Sequence, residues 1–301
     1  MKVEDKYSQA GVVAFWMRFA QSGLQRAEAL MLERYAPPAP ARVLDLGCGP
    51  GRVTLALVPL GYDVIGLDVT PAMLQAARSS STAVRGQFVQ ADLRQLPFAC
   101  ESFEVALVFI AALQHVARRA QRQSALRQIA SVLTPPGVLI LALDNIAPAL
   151  TCYATWAMQR LLPAASRGTG TPGMLCIPGV PSADRLLESN RSHSNALSWH
   201  ARGLARTLRW RTWEGLRDLG RSLRLSGGEA GDTFIKQVAL LPTAGKVYYH
   251  LYNHQELMAD AQVAGLRLVG YHSARELAEG KEFGQRARRL DKQVLYAFTK
   301  T

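Results

Sequence analysis

The sequence is poor in the features that mark secreted, metal-binding and integral membrane proteins. Its four cysteines are widely separated and show neither metal-ligand spacing nor a paired framework, which predicts free thiols, a reducing cytoplasm and no metal site. No segment approaches the ~20 consecutive apolar residues that a spanning helix needs. The first residues carry acids and lack the apolar core and cleavage site of a secretory signal. We therefore expect a cytoplasmic protein.

Acidic residues are also scarce relative to basic ones. The chain has 35 Lys and Arg against 23 Asp and Glu, a formal net charge of +12. Such a balance favours polyanions, acidic membrane surfaces or anionic small molecules as partners, although Arg-rich composition is also typical of GC-rich genomes. The hydrophobic content of 49% is ordinary for a globular protein, and 301 residues suffice for one large domain or two modest ones.

Hydrophobic patterning predicts alternating strands and helices through most of the chain. A helical segment at 9–35 comes first and is ended by a proline-rich stretch. Strands are predicted at 42–46, 62–68, 86–92, 103–110, 138–144, 266–271 and 294–300, and helices at 51–60, 71–78, 119–133 and 254–264. The strands are nearly continuous in apolar residues, which indicates a parallel sheet covered by helices on both faces.

The alternation is lost between the fifth and sixth strands. From Asn145 to about His250, Gly, Pro and Arg are frequent and no clean pattern is visible. We therefore predict one Rossmann-like α/β domain formed by 41–145 and 251–301, with an N-terminal helical cap at 1–40. The intervening 146–250 is predicted to be an inserted acceptor-binding or lid region.

A glycine-rich loop, VLDLGCGPG, joins the first strand to the next helix. Gly47, Gly49 and Gly51 allow a tight turn and a close backbone approach to a ligand. A dinucleotide fingerprint would need a third glycine where Arg52 stands, and Asp45 beside the loop would repel a pyrophosphate. A carboxylate suits a ligand with an ammonium group, so the loop favours a nucleoside that carries an amino acid.

Two more acids end the neighbouring strands. Asp68 follows the loop by about 20 residues, where a carboxylate takes ribose hydroxyls, and Asp92 ends the third strand, where it can accept a hydrogen bond from the exocyclic amine of a base. Together with Asp45, these acids suit an adenosine with a cationic amino-acid tail.

These motifs resemble those of class I S-adenosylmethionine-dependent methyltransferases. The resemblance covers 41–145 and 253–301 and is carried by VLDLGCGPG, VIGLDVTPAML, VQADLRQLPF, FEVALVFIAALQHV and LRQIASVLTPPGVLIL. It implies a seven-stranded sheet of order 3-2-1-4-5-7-6 with an antiparallel last strand, and S-adenosylmethionine as cofactor.

The resemblance also implies roles for individual residues. The glycines would lie along the methionine portion, Asp68 at the ribose, and Asp92 with Leu93 at the adenine, while Phe109 and Ile110 would border the methionine moiety. Cys48 is expected to be a small buried filler. The predicted cofactor-binding set is Asp45, Gly47, Cys48, Gly49, Gly51, Asp68, Val69, Met73, Asp92, Leu93, Phe109 and Ile110.

Catalytic and acceptor-binding residues are predicted from their places near the mouth of this sheet. A hydroxyl acceptor gains from a general base and an amine must lose a proton, so polar residues after the fourth and fifth strands are candidates. The segment KVYYHLYNHQEL also resembles a stretch of wobble-uridine tRNA methyltransferases, although a strand that leads into an N-cap explains it equally well. The catalytic candidates are His115, Asp144, Tyr249 and His250, and the substrate-binding candidates are Asn145, Trp210, Trp213, Tyr248 and Tyr252.

Residues 197–225 form a basic amphipathic pattern. On a helical wheel its leucines except Leu225 share a sector of ~120°, and tryptophans and all arginines except Arg211 occupy the opposite side. Gly215 and Gly220 make two shorter helices as plausible as one. The Arg and Trp face suits RNA, an anionic membrane surface, a lid over an anionic acceptor, or simple solvation.

These features favour a methyltransferase that acts on N or O of a small-molecule acceptor that is anionic or resembles a secondary metabolite. An RNA methyltransferase, in particular one acting on tRNA, is the first alternative. A membrane-associated lipid or quinone methyltransferase, with peripheral membrane contact, and a cofactor-binding sensor are the others.

Overall fold

The computed structural model describes residues 1–80, 88–110, 112–145, 232–235, 245, 247–291 and 293–301. Its strands are β1 (Arg42–Leu46), β2 (Asp63–Asp68), β3 (Phe88–Gln90), β4 (Phe103–Val108), β5 (Leu133–Asp144), β6 (Asp232–Ile235), β7 (Val247–His250), β8 (Leu266–Ser273) and β9 (Gln293–Lys300). Its α-helices are α1 (Val3–Tyr7), α2 (Ala10–Ala20), α3 (Arg26–Tyr35), α4 (Thr54–Leu57), α5 (Pro71–Ser80), α6 (Arg119–Val132), α7 (His254–Val263), α8 (Ala274–Glu279) and α9 (Gln285–Leu290).

One seven-stranded sheet organises the fold, in the order β3-β2-β1-β4-β5-β9-β8. The first five strands are mutually parallel, and β9 runs antiparallel to both β5 and β8. This is the predicted order, with β8 and β9 as the sixth and seventh strands of the core, and it confirms the Rossmann-like fold class. The central strands are almost wholly buried, as their continuous apolar runs predict.

Several predicted boundaries are wrong. The helix expected at 9–35 is two helices, α2 and α3, because Gly23 takes a φ of +61° and a capping box between Gln25 and Glu28 starts a new helix. The helix expected at 51–60 shrinks to α4 and a 3-10 turn at Val58–Leu60. Strand β5 begins at Leu133 rather than at residue 138, since Leu133 pairs with Phe103 across a register shift.

The N-terminal helices pack around the carboxyl edge of the parallel strands. Val12, Trp16 and Phe19 of α2 form a buried cluster with Met73 of α5. Helix α3 is joined to the glycine loop by a buried ion pair, in which Arg52 Nη2 lies 2.6 Å from Glu28 Oε1. These contacts place α2 and α3 beside the loop and explain how the N-terminal segment takes part in the site below.

Four short elements have no counterpart in the sequence predictions: α1, α8, α9 and β6, which pairs antiparallel with β7. Strands β6 and β7 lie within the predicted 146–250 insertion, most of which lies outside the described residues. Across the described ranges, no helix has both the length and the apolar content to cross a membrane.

Candidate active site

A cavity of about 520 Å³ opens at the carboxyl ends of β1, β2 and β4, where open α/β sheets bind ligands. Its floor is the glycine loop, and its roof comes from the N-terminal helices. Every predicted cofactor-binding residue lines it except Gly51: Asp45, Gly47, Cys48, Gly49, Asp68, Val69, Met73, Asp92, Leu93, Phe109 and Ile110. Gly51 instead lies against side chains, since a Cβ there would come within 3.1 Å of Phe88 and 3.2 Å of Leu55.

The glycine loop turns tightly because its amides bond to the next strand. Gly47 N and Cys48 N both donate to Leu67 O, at 2.7 and 3.0 Å. Gly47 has a φ of +74°, and a Cβ there would lie 2.5 Å from the Cβ of Ala112. Gly49 has a φ of +54°, and a Cβ there would meet nothing within 4 Å, so this residue presents bare backbone to open space. The loop therefore forms a cradle that accepts close approach of a ligand.

Asp68 fixes the loop from the end of β2. Its Oδ2 accepts a hydrogen bond from Gly49 N at 2.9 Å, and its Oδ1 accepts one from Thr70 N at 2.8 Å. Burial raises the pKa of Asp68, and the hydrogen bonds from the amides of Thr70 and Gly49 oppose that rise. The carboxylate thus organises the wall on which a ribose was predicted to rest.

Asp45 is turned partly away from the cavity. It is 2% exposed, and its Oδ2 accepts hydrogen bonds from Thr54 N at 3.1 Å and Thr54 Oγ1 at 2.7 Å. Burial raises the pKa of Asp45 to about 6, against the hydrogen bonds from Thr54 and the charge of Arg52. Asp45 Oδ2 therefore accepts the hydrogen bonds from the first residue of α4, and Oδ1 is the oxygen that remains for a ligand.

Asp92 has a partner that the sequence did not indicate. Its carboxylate pairs with the guanidinium of Arg94, and Arg94 N donates to Asp92 Oδ1 at 2.8 Å. Burial alone would raise the pKa of Asp92, but the hydrogen bonds from Arg94 outweigh it and lower the pKa. Both side chains line the cavity, so Arg94 belongs to the predicted base-binding end.

The roof carries residues that sequence reasoning missed or assigned to the core. Tyr7, Trp16 and Phe19 line the cavity from α1 and α2. Trp16 Nε1 is buried without a hydrogen-bond partner among the described residues. Trp16 and Phe19 lie in the helical segment predicted at 9–35, whose pattern marked no residue of it as part of a site, and no sequence signal singled out Tyr7.

His115 also lines the cavity and contacts the roof. Its Nε2 lies 2.9 Å from Tyr7 Oη, and its Nδ1 lies 2.9 Å from the backbone oxygen of Tyr248. The ring of Tyr7 meets the imidazole edge-on, with centroids 5.6 Å apart. The candidate His115 is thus placed in the cavity between the N-terminal helix and β7.

Two other catalytic candidates lie behind this wall. Tyr249 is 1% exposed, and its Oη lies 2.7 Å from Asp144 Oδ2 and 3.0 Å from Gln114 Oε1. Burial, followed by the charge of Asp144, raises the pKa of Tyr249 well above its usual value, so its phenol keeps its proton. The Tyr249 ring meets His115 edge-on at 5.2 Å. Neither Tyr249 nor Asp144 lines the cavity; Tyr249 contacts His115 from behind, and Asp144 contacts Tyr249.

His250 lies in a buried ionic cluster rather than at the cavity. Its Nδ1 is 2.9 Å from Asp232 Oδ1, and its Nε2 is 3.0 Å from Glu256 Oε1, which Arg122 Nη2 also contacts at 3.0 Å. Burial would lower the pKa of His250, but hydrogen bonds to the two carboxylates raise it. This surrounding does not place His250 within reach of a substrate in the cavity.

The acceptor-binding candidates separate in the same way. Tyr248 lines the cavity, whereas Tyr252 and Asn145 are buried outside it and form an isolated bridge to each other. Trp210 and Trp213 lie outside the described residues, as does the whole basic 197–225 pattern. Among the residues that the structure describes, no group of His, Cys, Asp and Glu could hold a metal ion.

Comparison with known proteins gives partial matches in sequence. Residues 43–137 match the family model described as a methyltransferase domain. An uncharacterized methyltransferase, YodH, from Bacillus subtilis is 35% identical over 120 residues, which cover 39% of this chain and 49% of that protein. A malonyl-[acyl-carrier protein] O-methyltransferase from Pseudescherichia vulneris is 37% identical over 105 residues, covering 33% and 41%. The chain thus spans about half the length, or less, of these curated relatives.

Solved structures match over nearly the whole chain. A SAM-dependent methyltransferase from Methanosarcina mazei superposes with a TM-score of 0.55 at 16% identity, covering 92% of this chain and 98% of that one. A Haloferax volcanii methyltransferase, solved in complex with the activator Trm112, gives a TM-score of 0.55 at 16% identity and coverages of 99% and 97%. At these identities the likeness concerns the fold.

Proposed function

We propose, from the premise that this chain carries a class I S-adenosylmethionine-dependent methyltransferase domain, that the protein methylates a nitrogen or oxygen atom of a small-molecule acceptor. The family match over 43–137 supports the domain class and the cofactor type that the sequence motifs indicated, and the solved structures confirm the fold. The acceptor and the residues assigned to it are our proposal. The observation that carries it is one cavity that joins the glycine cradle to the wall formed by His115, Tyr7 and Tyr248.

The residues present fit S-adenosylmethionine. Gly49 offers bare backbone to an open space, and Trp16 Nε1 is a buried donor with no described partner in the same cavity. Asp68 and Asp92 would hold the ribose and the adenine, and Asp45 Oδ1 is the carboxylate oxygen left for the amino-acid tail. When bound, the cofactor supplies an electrophilic methyl group on a positively charged sulfur.

The small-molecule acceptor is supported by the roof. Met1, Lys2, Val3, Glu4 and Tyr7 line the cavity together with the strand ends below them. Because the cavity is lined from above and from below, the acceptor must be a molecule, or a part of one, that fits between α1 and the wall at Tyr248. Exclusion of water by such a roof favours methyl transfer, because charge interactions gain strength in a drier site. The O-methyltransferase named among the relatives acts on an oxygen, which supports oxygen as the acceptor atom here.

One experiment tests the proposal against RNA as the acceptor, which the net charge of +12 keeps as the competing outcome. The protein is incubated with methyl-labelled S-adenosylmethionine and an extract of its own source, with and without RNase. We expect label in the organic-soluble fraction, insensitive to RNase, and its loss in the Asp68→Ala variant. Label in RNase-sensitive material would instead assign the protein to RNA methylation, and label that Asp68→Ala leaves unchanged would come from other enzymes in the extract.

A further inference from the structure

The tautomer of His115 follows from the hydrogen bond at Nδ1. A backbone carbonyl only accepts, so Nδ1 must carry the proton that it donates to Tyr248 O at 2.9 Å. In the neutral imidazole, Nε2 then holds a lone pair, and the group it meets is the phenol of Tyr7 at 2.9 Å. Tyr248 thereby fixes which ring nitrogen is basic, and that nitrogen is in the cavity wall.

Tyr7 is the donor in this contact. Burial, followed by the negative charge of Asp68, raises the pKa of the Tyr7 phenol far above its usual range. The hydroxyl therefore keeps its proton and donates a hydrogen bond to His115 Nε2. In an O-methylation of a phenol, the neutral phenol is first bound to a base such as histidine. Here the phenol of Tyr7, a residue of the chain itself, occupies that position on His115.

The surroundings of the Tyr7 ring are those of a phenol-binding site. Its ring meets His115 edge-on at 5.6 Å and lies 6.3 Å from the ring of Trp16. A planar aromatic guest can make the same edge-to-face and tilted ring contacts. Tyr7 is also the last residue of α1, a helix of five residues, and helices this short are marginal without tertiary contacts. A modest shift of α1 would therefore move the Tyr7 hydroxyl away from His115 Nε2 and leave that nitrogen accessible to a ligand.

From these observations we propose that the acceptor is a phenol or a comparably acidic hydroxyl compound, and that Tyr7 holds its place on His115 Nε2 until it binds. The inference rests on the proposed methyltransferase function and adds the substrate class to it. Tyr7 is a specificity-determining residue in this account, and His115 is the general base.

His115 Nε2 takes up the proton of the acceptor hydroxyl before methyl transfer. The O–H bond of the acceptor breaks, its proton moves to His115 Nε2, and both electrons of the bond stay on the oxygen. The imidazolium keeps Nδ1–H on Tyr248 O, so the ring does not turn. The oxygen then uses that electron pair to form the bond to the methyl group of the sulfonium donor, whose C–S pair returns to sulfur, and the imidazolium loses its proton to solvent.

The test uses 4-nitrophenol, whose phenolate is yellow and whose neutral form is not. It is titrated into the full-length protein with S-adenosylhomocysteine present, so that no methyl group is available, at a pH where the free probe is mostly neutral. We expect saturable binding with a yellow signal. Tyr7→Phe removes the competing hydrogen bond of the phenol and should tighten probe binding by roughly two- to tenfold, the range for one such bond.

Two variants complete the design. His115→Asn places an amide N–H where Nδ1 was but has no base at the Nε2 position, so we expect the probe to bind without turning yellow. Tyr62→Phe is the matched control, because the Tyr62 hydroxyl donates to Pro37 O at 3.3 Å on a surface that does not line the cavity. It should leave probe affinity and colour unchanged, and circular dichroism verifies that each variant is folded.

The outcomes separate this inference from the proposed function. Calorimetry first measures the binding of S-adenosylhomocysteine alone, and its absence would overturn the proposed function itself. If the cofactor product binds but 4-nitrophenol does not, or binds without colour, or binds Tyr7→Phe no more tightly than wild type, the phenol inference is wrong while the methyltransferase proposal stands.

Discussion

Substitution of Gly49 by alanine separates the role of the loop in ligand binding from its role in folding. Gly49 has a φ of +54°, and an added Cβ would meet no atom within 4 Å. The cost to folding is therefore that of a left-handed backbone alone, about 1–2 kcal/mol, which corresponds to a fall of a few degrees in Tm. The new methyl group would occupy the space into which the cradle opens, so we expect S-adenosylmethionine to bind at least about tenfold more weakly, or about 1.4 kcal/mol.

A second glycine provides the control for this prediction. Gly280, at the end of α8, has a φ of +67°, has nothing within 4 Å of an added Cβ, and does not line the cavity. Gly280→Ala should therefore lose similar stability and keep full affinity in isothermal titration calorimetry. Equal affinity in Gly49→Ala, Gly280→Ala and wild type would refute the assignment of the loop as the cofactor cradle.

Three further predictions concern buried polar groups. The pKa of Asp45 is about 6 in the folded protein and ~3.9 in the unfolded chain, so this carboxylate lowers stability as the pH rises through that window. Asp45→Asn should therefore gain roughly 3 kcal/mol at pH 7 and nothing below about pH 4. A difference in Tm between the variant and wild type that does not change with pH would contradict this. Arg52→Met leaves the buried carboxylate of Glu28 without its ion-pair partner and should lower the free energy of unfolding in urea by about 3–5 kcal/mol. The double variant with Glu28→Met should recover much of this loss, and no recovery would argue against the ion pair. Asn253 accepts from Glu256 N at 2.9 Å as the N-cap of α7, so Asn253→Ala should lower stability by about 1 kcal/mol, and an unchanged Tm would exclude that cap.

The strands of the sheet could be predicted because each is marked by residues within its own short segment of the sequence. Each parallel strand is a short apolar run between turn residues, and the resemblance supplied their order. The start of β5 could not be read in this way. Leu133 joins the sheet by pairing with Phe103 of β4, a contact between distant segments, while the Pro135-Pro136-Gly137 sequence that follows is typical of a turn.

The candidate site likewise contains residues that local sequence predicts and residues that depend on contacts between distant segments. The acids at strand ends and the glycines were predictable, because position on a parallel strand fixes the edge to which a side chain belongs. Tyr7 was not, since its partner His115 is 108 residues away in sequence. In the KVYYHLYNHQEL segment, Tyr248 and Tyr249 are neighbours in β7. Successive side chains of a strand point to opposite faces, so only Tyr248 lines the cavity.

The binding of S-adenosylmethionine to the purified protein tests the central claim most directly. In isothermal titration calorimetry, wild type should bind one cofactor per chain. Asp68→Ala, which removes the acceptors of the Gly49 and Thr70 amides, should bind far more weakly while remaining folded. Absence of binding by wild type, or equal binding by the folded variant, would contradict the assignment of this cavity as the cofactor site.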